Sequence, residues 1–375
     1  MPHLAIVVFK AKDFAQCDGF HSKPAAPKFR SLRSPSRAAE DNDMTQMLKA
    51  QYTQRGPVPQ DVIEAVPFER PVLAEGQALV AVLAAPINPS DVLTLTGQYG
   101  LLPPLPAVGG SEGVGRVVEL GPQTQGPAVG QTVLLPAGSG TWATHVVAPA
   151  ARLVPLPNEA DPVQLAMLTV NPPTAALLLS EFADLQPGDW VIQNSANSGV
   201  GSYLVQLARL RGLKTVNIVR RESAAAAVLA QGGDVVLVDG DDLAERVKAT
   251  TGGAAIKLGV DAVGGSATMR LAATLAEGAT VVNYGALSGE PCVVSPRELV
   301  FRDVTLKGFW LARWYRTVPQ QKQLALLTEL AGLIAQGKLS APVQATFDVA
   351  QVKEAVAAAA AGERQGKILI VPAQD

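Results

Sequence analysis

The stretch Gly188-Asp189-Trp190-Val191-Ile192-Gln193-Asn194-Ser195-Ala196-Asn197-Ser198-Gly199-Val200-Gly201 runs in order through a turn, an apolar strand, a loop of small residues and a helix start. That order suits a pyrophosphate. Backbone N–H groups at a helix N-terminus point outward with partial positive charge, and small side chains let a phosphate come close. The spacing is that of Gly-x-Gly-x-x-Gly, but its first two positions hold Ala196 and Ser198. A purely structural strand-to-helix turn would have the same composition. About 20 residues on, a second strand-like run, Thr215 to Val219, ends in Arg220-Arg221, where an NAD-binding chain would carry an acidic residue for the ribose hydroxyls. Arginine there suits a 2′-phosphate and so points to NADPH over NADH, although paired arginines at a strand end can also be solvated charge.

Other chemistry is scarce. Three histidines (His3, His21, His145) and two cysteines (Cys17, Cys292) are a meagre stock for metal or thiol reactions. A disulfide framework is excluded, and so few thiols fit a reducing compartment. His145 lies in a strand-like run and reads as a polar surface residue. Tyr99 stands between Gly97 and Gly100 and, on its immediate neighbours alone, would pack a loop. Its phenol is nevertheless a hydrogen-bond donor that stays neutral at pH 7.

The elements that must position these groups fall into two blocks. From Leu48 to about Pro162 short apolar runs (Ala78 to Ala84, Gly115 to Leu120, Gln131 to Leu135) sit between Gly and Pro turns, as in an irregular β-barrel. From about Gln164 the period changes. Trp190 to Gln193, Thr215 to Val219, Val235 to Val238, Leu258 to Val260 and Thr280 to Asn283 are five strand candidates separated by helical patterns, the clearest with Val200, Leu204, Leu207, Ala208 and Arg211 on one face. Alternation at this rhythm predicts a doubly wound parallel sheet of the α/β class. Past Trp314 a helix (Gln320 to Gln336), a strand near Val343 to Phe347, a helix (Ala350 to Ala361) and a last strand (Lys367 to Val371) are too much for that sheet alone and are expected to return to the first domain.

With 31 Lys and Arg against 33 acidic residues there is no basic field to attract nucleic acid or an anionic membrane, and no apolar run approaches a spanning length. Residues 1–43 differ from the rest: Lys10, Lys12, Lys23, Lys28, Arg30, Arg33 and Arg37 lie among scattered Ser and Pro without helical or strand periodicity. They read as a leader or extension outside the fold, with initiation at Met44 or Met47, or as a transit peptide whose pattern Asp13, Asp18, Glu40, Asp41 and Asp43 spoil. The compartment is cytoplasmic in the first case and an organelle matrix in the second.

From Leu48 to Val371 the chain resembles the medium-chain dehydrogenase/reductase superfamily, and within it the mitochondrial-type trans-2-enoyl thioester reductases. The resemblance is carried by Ala85-Pro86-Ile87-Asn88-Pro89-Ser90-Asp91, Gly97-Gln98-Tyr99-Gly100, Val108 to Gly115, Gly140-Thr141-Trp142, Asn171-Pro172-Pro173-Thr174-Ala175, Gln193 to Gly201, Asn283-Tyr284-Gly285-Ala286 and Lys307-Gly308-Phe309-Trp310-Leu311. It implies a GroES-like catalytic domain over 44–165 and 315–375 and a Rossmann domain over 166–314. It also implies a zinc-free branch: Ser111 stands beside Glu112 where zinc enzymes place a ligating histidine, and no cysteine-rich lobe exists.

By the same resemblance, Tyr99 is the group that stabilises the developing enolate oxygen and supplies a proton, and Trp310 positions nicotinamide and substrate. Asn171, Asn197, Ser198, Gly199, Val200, Arg220, Arg221, Tyr284, Gly285, Ala286, Phe309, Leu311 and Lys367 match cofactor-contacting positions. The activity so implied is NADPH-dependent reduction of trans-2-enoyl thioesters on coenzyme A or acyl carrier protein. A quinone or enone reductase shares fold and cofactor, and a non-catalytic NADPH-binding protein would keep the scaffold alone. Related reductases pair through the edge of the Rossmann sheet, so the strand leading into Gly308 is the expected edge for a homodimer.

Overall fold

A computed structural model describes residues 9–10, 46–362 and 364–373. Leu48–Tyr52 is held antiparallel between Ile63–Pro67 and Ala107–Val108 in a three-stranded sheet. The long strand β1 (Gln77–Pro86) pairs antiparallel with β2 (Val114–Leu120) and with His145–Pro149, and helix α1 (Pro89–Thr96) follows β1 directly. Trp142 is completely buried at the centre of this barrel-like domain with Ile63, Leu95 and Val133. The indole lies so close to the backbone that a Cβ on Gly109 would sit 2.3 Å from its ring, which accounts for the Gly109-Gly110 pair.

Helix α2 (Asn171–Leu178) leads into the second domain. Strand β3 (Trp190–Gln193), helix α3 (Gly199–Leu210), and strands β4 (Lys214–Val219), β5 (Val235–Val238), β6 (Ile256–Asp261), β7 (Thr280–Asn283) and β8 (Thr305–Gly308) form a sheet in the order β5-β4-β3-β6-β7-β8, all parallel. This is the dinucleotide-binding order, with its switch point between β3 and β6. The five strands expected from the sequence are all present, and β8 is the sixth. Its largely exposed Thr305–Gly308 face hides it from a search for buried runs. Of residues 1–43 only Phe9–Lys10 are described. They pair antiparallel with Val235–Val236 on the edge of β5, so these two residues join the sheet, while the leader or transit-peptide reading otherwise lies outside the described residues.

Helix α3 is buried beyond the one face its periodicity marks: Tyr203 and Val205 are as enclosed as Leu204 and Leu207, and Arg211 is the residue that caps its C-terminus. The second covering layer comes from the end of the chain. After α4 (Leu311–Thr317) and α5 (Gln320–Ala335), strand β9 (Val343–Phe347), helix α6 (Val352–Ala360) and strand β10 (Lys367–Ile370) carry the chain back, and β10 pairs antiparallel with the end of β1. Leu134 and Leu369 thus share one apolar core with Tyr203, Leu204, Leu327, Leu330 and Ile334, so the two domains are packed together through a continuous interior.

Candidate active site

Tyr99 sits just past the end of α1. Gly97 takes the left-handed conformation (φ 78°) that closes the helix, and the backbone N–H groups of Gln98 and Tyr99 both donate to the carbonyl of Leu93. This turn presents the phenol to Trp310, which caps the start of α4. The indole Nε1–H donates to the Tyr99 hydroxyl at 3.1 Å, with the rings edge to face at 6.3 Å between centroids. Residues 211 positions apart are therefore brought into direct contact, and the indole remains 37% exposed. Next to Trp310, Phe309 stacks edge-on against Phe182 and its N–H donates to the Asn283 carbonyl, while Leu311 opens α4 half-buried.

The small-residue loop forms the expected strand-to-helix turn between β3 and α3 without three glycines. Ser195 adopts a left-handed backbone (φ 51°), Ala196 is fully buried, and Ser198 is the N-cap of α3, its hydroxyl accepting from the Gly201 N–H at 3.2 Å. Gly201 has to be glycine, since a Cβ there would lie 2.4 Å from the Ala196 carbonyl oxygen. Asn197, Gly199 and Val200 complete the turn, with Asn197 and Gly199 half-buried and Val200 buried. Tyr284, at the end of β7, hydrogen-bonds Ser198, and desolvation holds its phenol well above the usual tyrosine range. Gly285 approaches the Ala262 carbonyl too closely for a side chain, and Ala286 follows it exposed.

Arg220 lies exposed at the end of β4, with its guanidinium donating to the Gly362 carbonyl at 2.9 Å; Arg221 beside it is half-buried. Asn171 opens α2, buried, its side chain within van der Waals reach of the position a Gly199 Cβ would take. Its amide Nδ2 donates to Asn88 Oδ1 at 3.2 Å, the same oxygen that accepts from Lys367 Nζ at 2.6 Å. Lys367 is buried and also reaches the Ile87 carbonyl, so it meets the site through Asn88.

That network ends on Glu112, which sequence reasoning passed over. Its carboxylate accepts from Asn88 Nδ2 at 2.7 Å and from the Thr169 hydroxyl and N–H at 2.9 and 3.1 Å. Burial pushes the carboxyl up to about 7 against the pull of the Lys367 charge and these bonds, and burial pulls the Lys367 amine down to about 8 against the Glu112 charge. Asp261 was also missed. Burial opposes its ionisation, but bonds from Thr268, Asn194, Asn283 and the Gly264 N–H outweigh it and lower its pKa. Asn88 was visible only as part of a matching block. A second signal was its spacing to Asp91, with which it forms a capping box around the start of α1. A lone carboxylate set among glycines, as in Gly110-Ser111-Glu112-Gly113, or at the end of an apolar strand, as Asp261 is, would have been the cue for the others. Among the described residues no group of three His, Cys, Asp or Glu side chains could hold a metal ion.

The family model of the alcohol dehydrogenase GroES-like domain matches residues 74–158, and that of the zinc-binding dehydrogenases matches residues 199–328. A solved putative NADPH:quinone reductase from Bacillus thuringiensis superposes with a TM-score of 0.79 at 28% identity, over 88% of this chain and 99% of that one. A mitochondrial 2-enoyl thioester reductase Etr1p/Etr2p heterodimer from Candida tropicalis does so with a TM-score of 0.78 at 25% identity, over 88% and 100%. A Rossmann sheet joined to a GroES-like domain, with these neighbours, defines a member of the medium-chain dehydrogenase/reductase superfamily. The enoyl-(acyl-carrier-protein) reductase, mitochondrial, of Rattus norvegicus is 37% identical over 306 residues, covering 80% of this chain and 82% of the relative. The chain belongs to the family of these enoyl reductases.

The raised carboxyl of Glu112 makes stability depend on pH. Folded, it keeps its proton up to about 7, whereas an ordinary carboxyl releases it near 4.5, so its contribution is full below 4.5 and is lost as pH rises through about 7. Lys367, depressed to about 8 from 10.5, acts in a higher window and with the opposite slope. Glu112→Gln should therefore lose the carboxyl's share of the decline, and the melting temperature of the variant relative to wild type should climb between pH 4.5 and about 7. Parallel wild-type and variant melting curves against pH would contradict this assignment.

Proposed function

We propose that the chain reduces the carbon–carbon double bond of trans-2-enoyl thioesters with NADPH, and that the Tyr99–Trp310 hydrogen bond is the observation that carries the reading. A half-buried phenol whose oxygen accepts from an indole N–H has its own O–H available to donate to a further acceptor. Such a donor suits a thioester carbonyl oxygen on which negative charge develops, and it can pass a proton to the α-carbon.

The residues present fit a nicotinamide dinucleotide. The α3 N-terminus is capped on its own side chain, leaving its first N–H groups aimed out of the loop, and Gly201 permits the close helix–strand approach this site requires. Asn171 lies against Gly199 at the same helix start. The Arg220 guanidinium donates to the Gly362 carbonyl and carries five N–H donors in all, so it can hold a 2′-phosphate as well. NADPH, when bound, supplies the hydride. The rest falls to the chain: Ser198 and Gly199 receive the phosphates, Tyr284 and Gly285 wall the loop, Phe309 and Leu311 bracket Trp310, and Lys367 steadies Asn171 through Asn88.

Two outcomes separate this reading from its rival. Tyr99→Phe should lower turnover of a short trans-2-enoyl-CoA by about 100-fold or more while NADPH affinity holds, as loss of a general acid does. The B. thuringiensis neighbour favours quinones as the second reading. Quinone turnover indifferent to the same change, with no thioester activity, would establish it, and NADPH binding with neither activity would leave a non-catalytic binder. Arg220→Ala should raise the NADPH Kd by roughly 10-fold or more and leave that for NADH nearly unchanged, given ~1.5–3 kcal/mol for a hydrogen bond to a charged group. Equal losses for both nucleotides in a fluorescence titration would remove the 2′-phosphate role.

The substrate is a small thioester, and acyl carrier protein is its proposed macromolecular bearer. Names of the relatives carry "mitochondrial", which supports an organelle matrix where residues 1–43 are cleaved and leaves the cytoplasm where they are a leader. Among the described residues no helix is long and apolar enough to cross a membrane. For the homodimer, β8 is the open edge of the sheet, and the turn before it exposes Val300 (69%) and Phe301 (78%). Phe301→Glu should convert a dimer to a monomer in light scattering. A wild-type chain that is monomeric at micromolar concentration would refute the pairing.

A further inference from the structure

The contact between Tyr99 and Trp310 does not end at the indole. From the last turn of α4 the Arg316 side chain turns back over Trp310 and places its guanidinium carbon 4.8 Å from the ring centroid. Among the described residues Arg316 makes no ion pair, so no carboxylate quenches its charge at the ring. A cation in the last turn of a helix is favoured by the helix dipole alone. The dipole does not account for its being laid on the one indole whose N–H is committed to Tyr99.

We propose that Arg316 is a positioning residue of the reaction, acting through Trp310 on the Tyr99 hydroxyl. This rests on the reading of Tyr99 as hydrogen-bond donor to the thioester oxygen. A cation over the face of the ring draws on its π electrons and makes the indole N–H a stronger donor. The Tyr99 oxygen accepts that bond at 3.1 Å, and hydrogen bonds in a chain polarise one another, so its own O–H becomes a better donor in turn. The guanidinium stays charged throughout the working pH range, which makes the effect constant and leaves proton transfer to the phenol. The same stack holds the indole in the edge-on orientation, 82° between ring planes, that aims Nε1 at the hydroxyl.

The experiment compares full-length wild type with Arg316→Met, which keeps the stem without the charge, Arg316→Lys, which restores a charge, Tyr99→Phe and the Tyr99→Phe/Arg316→Met double variant. Each is assayed on a trans-2-enoyl-CoA and on the corresponding N-acetylcysteamine thioester, which lacks phosphates. Arg316→Met should lower kcat by about 3- to 5-fold on both substrates, the scale of one cation–π contact at an exposed site, with KM nearly constant. Arg316→Lys should recover most of the loss. In the Tyr99→Phe background the same removal should change kcat by less than about 2-fold, because the group it acts on is gone. An equal loss in both backgrounds would overturn the relay. So would a rise in KM confined to the CoA thioester, which would make Arg316 a direct ligand of the substrate's phosphates. If Tyr99→Phe alone leaves thioester turnover intact, the functional reading has failed and the relay falls with it. Collapse in Tyr99→Phe beside an indifferent Arg316→Met refutes only the relay.

Discussion

One buried carboxylate fixes both halves of the candidate active site. Glu112 holds Asn88, the residue before α1, and α1 delivers Tyr99. It holds Thr169 as well, and the Thr169 carbonyl accepts from the Tyr315 hydroxyl of α4, the helix that Trp310 caps. Through Asn88 Oδ1 it reaches Lys367 of the returning strand β10 and Asn171 at the cofactor loop. Segments from four regions of the chain thus converge on one charge that has almost no water around it. Truncating a side chain of this network would leave buried polar partners unsatisfied, at a cost of roughly 1–3 kcal/mol each.

Asp261 is the counterpart on the Rossmann side, and comparison of the two carboxylates explains their opposite behaviour. Asp261 accepts from five donors: the side chains of Asn194, Thr268 and Asn283 and the backbone N–H groups of Val263 and Gly264. That many donors stabilise the anion more than burial penalises it. Glu112 is enclosed at least as deeply with fewer donors, and its proton is correspondingly harder to remove. Asp261 ties the ends of β3, β6 and β7 together beneath the Ser195–Gly201 loop, with its pKa lowered where that of Glu112 is raised. The cofactor half of the cleft is therefore set by a permanent charge and the catalytic half by a conditional one.

How much of this could be read from the sequence follows from what each feature leaves in local text. Strands buried on both faces, such as Val235–Val238, appear as apolar runs, and the turn from Ser195 to Gly201 was legible as a strand-to-helix junction because it follows an apolar run and opens a helical pattern. Strand β8 left little signal because its side chains are largely exposed. Tyr99 and Trp310 could be singled out only by resemblance, since nothing near Tyr99 in sequence tells that an indole 211 positions away bonds to it. Lys367 was beyond local reading for the same reason, its partner Asn88 lying 279 positions away. The closing of β10 onto β1, a contact that spans nearly the whole folded chain, is what brings Lys367 to Asn88. Departures from Gly-x-Gly-x-x-Gly, which weakened the motif on paper, have a physical basis: Ser198 caps the helix itself, and only Gly201 faces a contact that forbids a side chain.

The order in which these interactions are built bears on how the site works. An indole–phenol bond at a partly exposed rim competes with water and contributes little to stability, about 1 kcal/mol at most times. Such a bond cannot hold its own partners in place. Its geometry is held by the anchors behind it: the capping box at the start of α1, the Leu93 carbonyl that fixes the Tyr99 turn, and the Tyr315–Thr169 bond that fixes α4. The same rim that makes the bond weak leaves it open to a substrate, and an acyl chain laid against Trp310 would exclude the water that weakens it. Hydrogen bonds gain strength as the surrounding dielectric falls. A donor positioned by buried charge and strengthened by the substrate's own apolar surface is pre-oriented in the free protein and most effective when the cleft is filled.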